Sequence, residues 1–331
     1  MSTNSPLVTI FGGSGFVGRY IARRMAKAGW RVRVATRRPN EALFVQTYGT
    51  VGQVLPVLVN IRYPQSVREA IRGADAVVNC VGVLEESGRQ SFEALHADGA
   101  ETIAKCATEE GVATLVHVSS IGADPVAPSK YLRSKAQGER LVSAAFPSAI
   151  ILRPSIIFGT EDEFFNRFAT LAKLAPVLPI FGEDTRMQPV YVDDVAAAAE
   201  SAILNSADPG VYELGGPEVA TFGELISRLL GVIGRRRWVF DMPWWIARLN
   251  GSIFGLVSKL SLGLVPAPFT RDQVESMTVD NIVSSGAKGL ADLGVEATPM
   301  DAVLESYLYC YRPSGQYAEI TASAKNLRPQ A

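Results

Sequence analysis

The sequence predicts a doubly wound α/β fold, a parallel sheet with helices on both faces, followed by a smaller C-terminal part. Three observations carry this expectation. Apolar runs of strand length alternate with helical patterns through the first half, the order that builds parallel strands and crossover helices. The first apolar run feeds a glycine-rich turn and then a helical period. The chain has 331 residues, 47% of them hydrophobic, enough to bury a core unaided.

The first strand is expected at 8–11, where Val8, Ile10 and Phe11 are apolar. Gly12, Gly13, Gly15 and Gly18 punctuate the turn around Ser14, and the spacing of Phe16, Val17, Ile21 and Met25 reads as a helix over 16–28. A second strand follows at 32–36, V-R-V-A-T, and a third at 54–59. Pro64 suits the start of a helix at 64–71, and a fourth strand stands at 76–80. A long helix is expected at 94–110, a strand at 115–119, a helix at 131–145 and a strand at 149–153. The second half is less regular. It holds P-V-Y-V-D-D-V at 189–195, a helix of small residues, Y-E-L-G-G-P-E at 212–218 and a helix at 222–232.

A formal net charge of −1 gives no global field for nucleic acid, and no such partner is expected. Cys80, Cys106 and Cys310 are far apart, with no CxxC, and read as reduced packing residues in a reducing compartment. His96 and His117 have no metal spacing, so no metal is expected; His117, inside an apolar strand, reads as a hydrogen-bonded core histidine. No apolar signal core opens the sequence, which suits a bacterial intracellular protein or a mature chain. Arg248 and Lys259 interrupt the most apolar region, leaving no uncharged run of membrane-span length.

A strand, a glycine turn and a helix start form the context of a dinucleotide fingerprint. Glycine lets the backbone approach a pyrophosphate, and free N–H groups at the helix N-terminus favour the anion. An NAD site places an acid on the ribose hydroxyls about 20 residues further on. Arg37 and Arg38 stand there instead, and the first acid is Glu41. Two guanidinium groups suit a 2′-phosphate, so the expected cofactor is NADPH or NADP. Asn60 and Ile61, ending the third strand, are candidates for adenine. In N-C-V-G at 79–82, Val81 and the small Gly82 let the cofactor pass the strand ends.

Tyr131 and Lys135 share one helix face at i, i+4. The lysine is expected to lower the tyrosine's pKa, and a tyrosine so tuned exchanges a proton with a carbonyl while nicotinamide exchanges hydride. Ser119 or Ser120, ending the preceding strand, is the candidate hydroxyl partner. Asp193 and Asp194, read as strand residues, point to opposite faces and make a poor acid–base pair; one is expected to cap a helix starting near Val195.

Residues 235–269 form a second unusual region. Three arginines precede Trp238, Trp244 and Trp245, and an apolar stretch with Ile253, Phe254 and Leu260 follows. The pattern reads either as a surface-seeking amphipathic segment or as a helix closing over the protein's own core. The polar stretch from about residue 313 is expected to extend away from the core.

These motifs fall in one order: the glycines, 79–82, Ser119 with Ser120, Tyr131 with Lys135, L-R-P-S-I-I-F-G at 152–159 including Pro154, Y-V-D-D at 191–194 and L-G-G-P at 214–217. In that order the chain resembles the extended or atypical short-chain dehydrogenases/reductases, a Rossmann family. Over nearly its whole length it also resembles the Rossmann-type (39 kDa-type) accessory subunits of respiratory complex I. The stretches that carry this are 129–139, 145–151, 154–166, 188–195, F-T-R-D-Q-V-E-S-M at 269–277 and L-G-V-E-A-T-P at 293–299.

The resemblance implies tightly bound NADPH, no independent catalysis and support for assembly near the quinone site. Ser14, Phe16, Val17 and Pro154 join the cofactor contacts, and Ser120, Tyr131 and Lys135 become a vestigial catalytic set. The implied partners are core subunits of the hydrophilic arm near the membrane junction, with room for peripheral lipid contact through 235–269. The implied location is peripheral on the inner respiratory membrane, on the matrix side in a mitochondrion or the cytoplasmic side in a bacterium. The implied organisation is a mainly NADP(H)-binding part at 1–160, a mixed part at 161–312 with segments returning to the sheet, and an extended tail at 313–331. Two departures stand out. Asn60 occupies a position where many members carry Asp, and Ser120 precedes Tyr131 by only eleven residues. A free-standing NADP-dependent reductase or epimerase of a small carbonyl compound, and a sensor of the NADPH/NADP ratio, remain open alternatives.

Overall fold

The computed structural model describes residues 5–260, 268–313 and 315–317. Seven parallel strands form the main sheet: β1 (Leu7–Phe11), β2 (Arg31–Thr36), β3 (Val54–Leu58), β4 (Ala76–Asn79), β5 (Thr114–Val118), β6 (Ile150–Pro154) and, far along the chain, Gly210–Leu214. Shorter strands intervene: β7 (Ile157–Phe158), β8 (Val177–Ile180), β9 (Arg186–Met187) and β10 (Val190–Tyr191), so the late sheet strand is β11. β12 (Ala220–Thr221) and β13 (Trp238–Asp241) complete the set. The sheet order is β11-β6-β5-β4-β1-β2-β3, with the direction of progression reversing between β1 and β4. Such a switch point opens a crevice at the carboxyl ends of the strands.

β1 is buried at every residue, as a central parallel strand covered on both faces must be. α1 (Phe16–Lys27) packs one face of the sheet together with α6 (Val192–Leu204), and Ile10, Ile21, Met25, Val116 and Val195 meet in that core layer. α2 (Pro64–Ile71), α3 (Asp98–Glu109) and α4 (Lys130–Ala145) cover the other face, where Phe11, Val77, Ile103, Leu115 and Val142 meet. A third core lies in the C-terminal part, among α5 (Phe165–Leu174), β8, α7 (Phe222–Val232) and α10 (Asp301–Leu308). β8 and β13 pair beside it. α8 (Trp244–Leu260) and α9 (Arg271–Ser276) share a small cluster of Met242, Ala247 and Val274.

The structure corrects several expectations. The helix expected from 94 opens with a π-helical turn, Glu93–Ala97, before α3. Gly138 of α4 presses there so closely that a Cβ would stand 2.0 Å from the His96 carbonyl oxygen. Asp193 and Asp194 are neither strand residues nor caps. α6 begins at Val192, so both sit in its first turn, where carboxylates suit the helix dipole. Asp193 pairs with Arg24 at 2.7 Å, and Asp194 accepts from the Thr298 N–H and hydroxyl at 2.7 and 2.8 Å. Cys106 is buried but Cys310 is exposed, so not every thiol is a packing residue.

The apolar region at 235–269 divides between the two readings of the sequence. Trp244 and Phe254 turn inward, toward Phe181 and Phe269. Trp238, Trp245 and Ile253 are 82%, 67% and 48% exposed. The Leu260 side chain and the tail at 318–331 lie outside the described residues. Among the described residues, no helix is long and apolar enough to cross a membrane.

Candidate nucleotide-binding site

The turn between β1 and α1 lies at the switch point. Gly12 has φ +73°, a left-handed conformation that glycine adopts without strain. A Cβ at Gly12 would also stand 3.1 Å from the Cys80 carbonyl carbon and oxygen, so the turn rests on the end of β4. Gly18 serves close packing: a Cβ would lie 2.4 Å from the Gly12 oxygen and 2.7 Å from the Gly13 Cα. The Gly15 N–H closes the turn onto the Gly12 oxygen at 2.9 Å. Gly15 is also the N-cap of α1. No side chain caps that helix and no acid stands in its first turn. The leading amides of α1 thus form a cradle that a side chain would fill, which fits a pyrophosphate.

At the end of β2, the Ser14 hydroxyl donates to Thr36 Oγ1 at 3.2 Å. Arg37 and Arg38 are both exposed beyond it. Arg38 is already paired with Glu41 at 3.2 Å, which leaves Arg37 the freer cation of the two. At the end of β3, Asn60 Oδ1 accepts from the Arg62 N–H at 3.2 Å and from Arg62 Nε at 3.4 Å, a turn-stabilising arrangement. Ile61 is buried in the core against Gly99, so it offers the crevice little surface.

Beyond β4, the polar side chains interlock. Asn79 Oδ1 accepts from the Val81 N–H at 3.0 Å, which turns its amide N–H toward His117 Nδ1 at 3.1 Å. His117 Nδ1 is then the acceptor, and its proton sits on Nε2. That Nε2 is buried without a partner, as is Ser119 Oγ, so the expected fully bonded core histidine is only half satisfied. His96 takes the opposite tautomer. Its Nε2 accepts from the Val83 N–H at 3.0 Å, so Nδ1–H faces Ser134 Oγ at 2.9 Å. Burial holds both imidazoles neutral, pushing His96 down to about 2 and His117 down to about 3, with nearby Lys135 adding to both.

Tyr131 and Lys135 stand beside this network. The Tyr131 ring meets Phe92 and His96 edge-on, with centroids 5.8 and 5.5 Å away. Lys135 Nζ donates to the Val118 carbonyl at 3.2 Å and lies 5.9 Å from the Tyr131 ring centroid. A Cβ on Gly82 would stand 3.4 Å from that ammonium, in ordinary contact with it. Pro154, at the end of β6, accepts from the Ile121 N–H at 3.0 Å and completes the floor.

One electrostatic expectation fails. Lys135 does not lower the Tyr131 pKa. Burial pushes the phenol up to about 12, and a side-chain hydrogen bond with Ser120 recovers only part of that rise. The same burial pushes Lys135 down to about 8. The short spacing from Ser120 nevertheless leaves its hydroxyl in reach of Tyr131. Sequence reasoning missed His96 and Phe92, which pack on Tyr131. The only signal for His96 was a histidine in an otherwise apolar helical face.

Comparisons with known proteins place these features. Residues 8–215 match the NAD dependent epimerase/dehydratase family. The chain is 34% identical over 334 residues to the mitochondrial NADH dehydrogenase (ubiquinone) 1 alpha subcomplex subunit 9 of Arabidopsis thaliana, across 98% of this chain and 82% of that protein. It is also 34% identical over 239 residues to a ceramide reductase of Caulobacter vibrioides, across 72% of this chain and 74% of that protein. In fold it resembles the NADPH-dependent quinone oxidoreductase QOR2 of Escherichia coli, solved with NADPH. The TM-score is 0.68 at 17% identity, over 91% of this chain and 98% of that one.

Proposed function

Because the chain belongs to the NAD dependent epimerase/dehydratase family and, within it, to the Rossmann-type accessory subunits of respiratory complex I, we propose that it is an NADP(H)-binding, non-catalytic subunit of NADH:ubiquinone oxidoreductase. The observation that carries this reading is the likeness to such a subunit over 98% of the chain, including the C-terminal third. The uncapped cradle at 12–18 supports nucleotide binding. The cradle would hold the pyrophosphate, Arg37 and Arg38 the 2′-phosphate, and the Asn60–Ile61 turn would border the adenine. Val81, Gly82, Ser119 and Pro154 would border the nicotinamide half, with Tyr131 and Lys135 on its ribose. When bound, the nucleotide supplies a hydride donor or acceptor.

The protonation of Tyr131 supports the non-catalytic reading. Tyr131, pushed up to about 12, is a weak acid at neutral pH, far from the matched value that proton transfer favours. Nucleotide binding then serves stability, because a ligand that binds only the native state raises its free energy of unfolding. In this reading the exposed Trp238, Trp245 and Ile253, beside the arginines at 235–237, dock onto core subunits of the hydrophilic arm near the quinone site and the membrane junction. The protein would sit peripherally on the inner respiratory membrane.

The identity with a ceramide reductase favours a second reading, an NADP-dependent carbonyl reductase. Tyr131→Phe separates the two. The subunit reading expects NADH:quinone activity of the assembled complex to stay nearly unchanged. A large loss of that activity with assembly intact would favour catalysis.

A further inference from the structure

We propose that Asp272 is a positioning residue that fixes Tyr131 against the nucleotide, gripping the first turn of α4 from the C-terminal part of the chain. The proposal rests on the nucleotide-binding reading above. The Lys130 N–H donates to Asp272 Oδ1 at 2.6 Å and the Tyr131 N–H to Oδ2 at 3.0 Å. Ser129, the N-cap, takes the Leu132 N–H at 3.0 Å. Asp272 thus supplies acceptors for the two leading amides of α4, which its own N-cap leaves free. A carboxylate there also meets the positive end of the helix dipole. Tyr131 is the second residue of α4, so its backbone is held directly, while Phe92 and His96 confine its ring. Loosening the grip would move the hydroxyl relative to the crevice.

Asp272 is itself well anchored. Thr270 and Gln273 form a reciprocal cap around it, with bonds of 3.1 and 3.3 Å. Arg248 of α8 binds both oxygens of Glu275 at 3.0 and 3.1 Å. At Gly251, α8 lies so close to α9 that a Cβ would stand 2.8 Å from the Arg271 nitrogen, one residue before Asp272. A rigid bracket therefore runs from α8 through α9 to the Tyr131 backbone.

The test uses the full chain in its wild-type, Asp272→Ala, Asp272→Asn and Gly251→Val forms. NADPH is titrated against each, its nicotinamide fluorescence is recorded when bound, and melting is followed without nucleotide. Asp272→Ala is expected to raise the NADPH Kd at least about fivefold and to shift the bound emission toward that of free NADPH. Asp272→Asn, which keeps one acceptor oxygen, should recover part of both signals. Gly251→Val, which displaces α9 from a distance, should reproduce the loss. Wild-type affinity and emission in Asp272→Ala, whatever its melting temperature, would overturn the proposal. If Asp272→Ala does not fold, wild-type affinity and emission in both Asp272→Asn and Gly251→Val would overturn it equally. A wild-type chain that binds no NADPH would instead overturn the nucleotide-binding reading and this inference with it.

Discussion

Lys135→Met should make the nucleotide-free protein more stable at neutral pH. Lys135 is almost wholly buried, and its ammonium donates to the Val118 carbonyl. Burial lowers its pKa to about 8, against 10.5 for an ordinary lysine. That gap corresponds to roughly 3 kcal/mol, at about 1.4 kcal/mol per tenfold change. Removing the ammonium takes a donor from the Val118 carbonyl, a cost of about 1 kcal/mol, but strands no charge, because the nearby Glu139 is held by Arg153 at 2.9 and 2.6 Å. Below pH 8 both the native and unfolded states hold the proton, and the wild type carries the whole penalty. Between pH 8 and 10.5 the unfolded chain binds more protons, so wild-type stability rises with pH relative to the variant. Above pH 10.5 the advantage of the variant vanishes. The assay is thermal or urea unfolding at pH 7, 9 and 10.5, with and without saturating NADPH. Without nucleotide, Lys135→Met should melt several degrees higher at pH 7. With nucleotide it should gain less than the wild type, having lost the ribose contact proposed for Lys135. A variant less stable than the wild type at pH 7, by an amount independent of pH, would refute the reasoning.

Arg37→Asp should weaken NADP(H) at least about tenfold while Arg38→Asp, which removes a cation already paired with Glu41, costs less; isothermal titration decides, and equal wild-type affinity for NAD(H) and NADP(H) would sink the clamp. Gly18→Val should destabilise the nucleotide-free protein by about 2 kcal/mol through its clash with the turn, whereas Gly15→Val should chiefly abolish the rise in melting temperature on adding NADPH. Trp245→Ser should leave the melting temperature unchanged yet weaken association with complex I. Trp244→Ser should cost about 2 kcal/mol, because its ring packs on Phe181 and Gly182; the reverse pattern in melting and pull-down would contradict the assignment of faces.

The sheet was legible because central parallel strands are apolar throughout and their crossovers keep the helical period. Six strands and four helices lie within about two residues of expectation; the helix expected from 94 begins as the π-helical turn before α3. β11 was legible only as a motif: Gly210 and the polar Glu213 break its apolar run, and pairing with β6 defines it. The glycine turn was legible because its chemistry is local to a few residues. The surroundings of Tyr131 were not. Its pKa depends on burial by Phe92 and His96, from another helix, and helix spacing alone suggested the opposite shift. The Asp272 grip joins residues 141 apart, a contact no local pattern encodes. The apolar region read two ways because its side chains divide: Trp244 and Phe254 pack inward, while Trp238 on β13 and Trp245 and Ile253 on α8 are exposed.

The central claim, that this chain is an NADP(H)-loaded subunit of complex I, is tested most directly by native electrophoresis. Respiratory membranes of the organism that makes the chain are extracted in mild detergent and resolved. The gel is stained for NADH dehydrogenase activity and probed for this chain, and the excised band is assayed for bound nucleotide. The account predicts that the chain migrates with the active complex and that the band contains NADPH or NADP. A chain that migrates alone, with the complex complete and active without it, would contradict the claim.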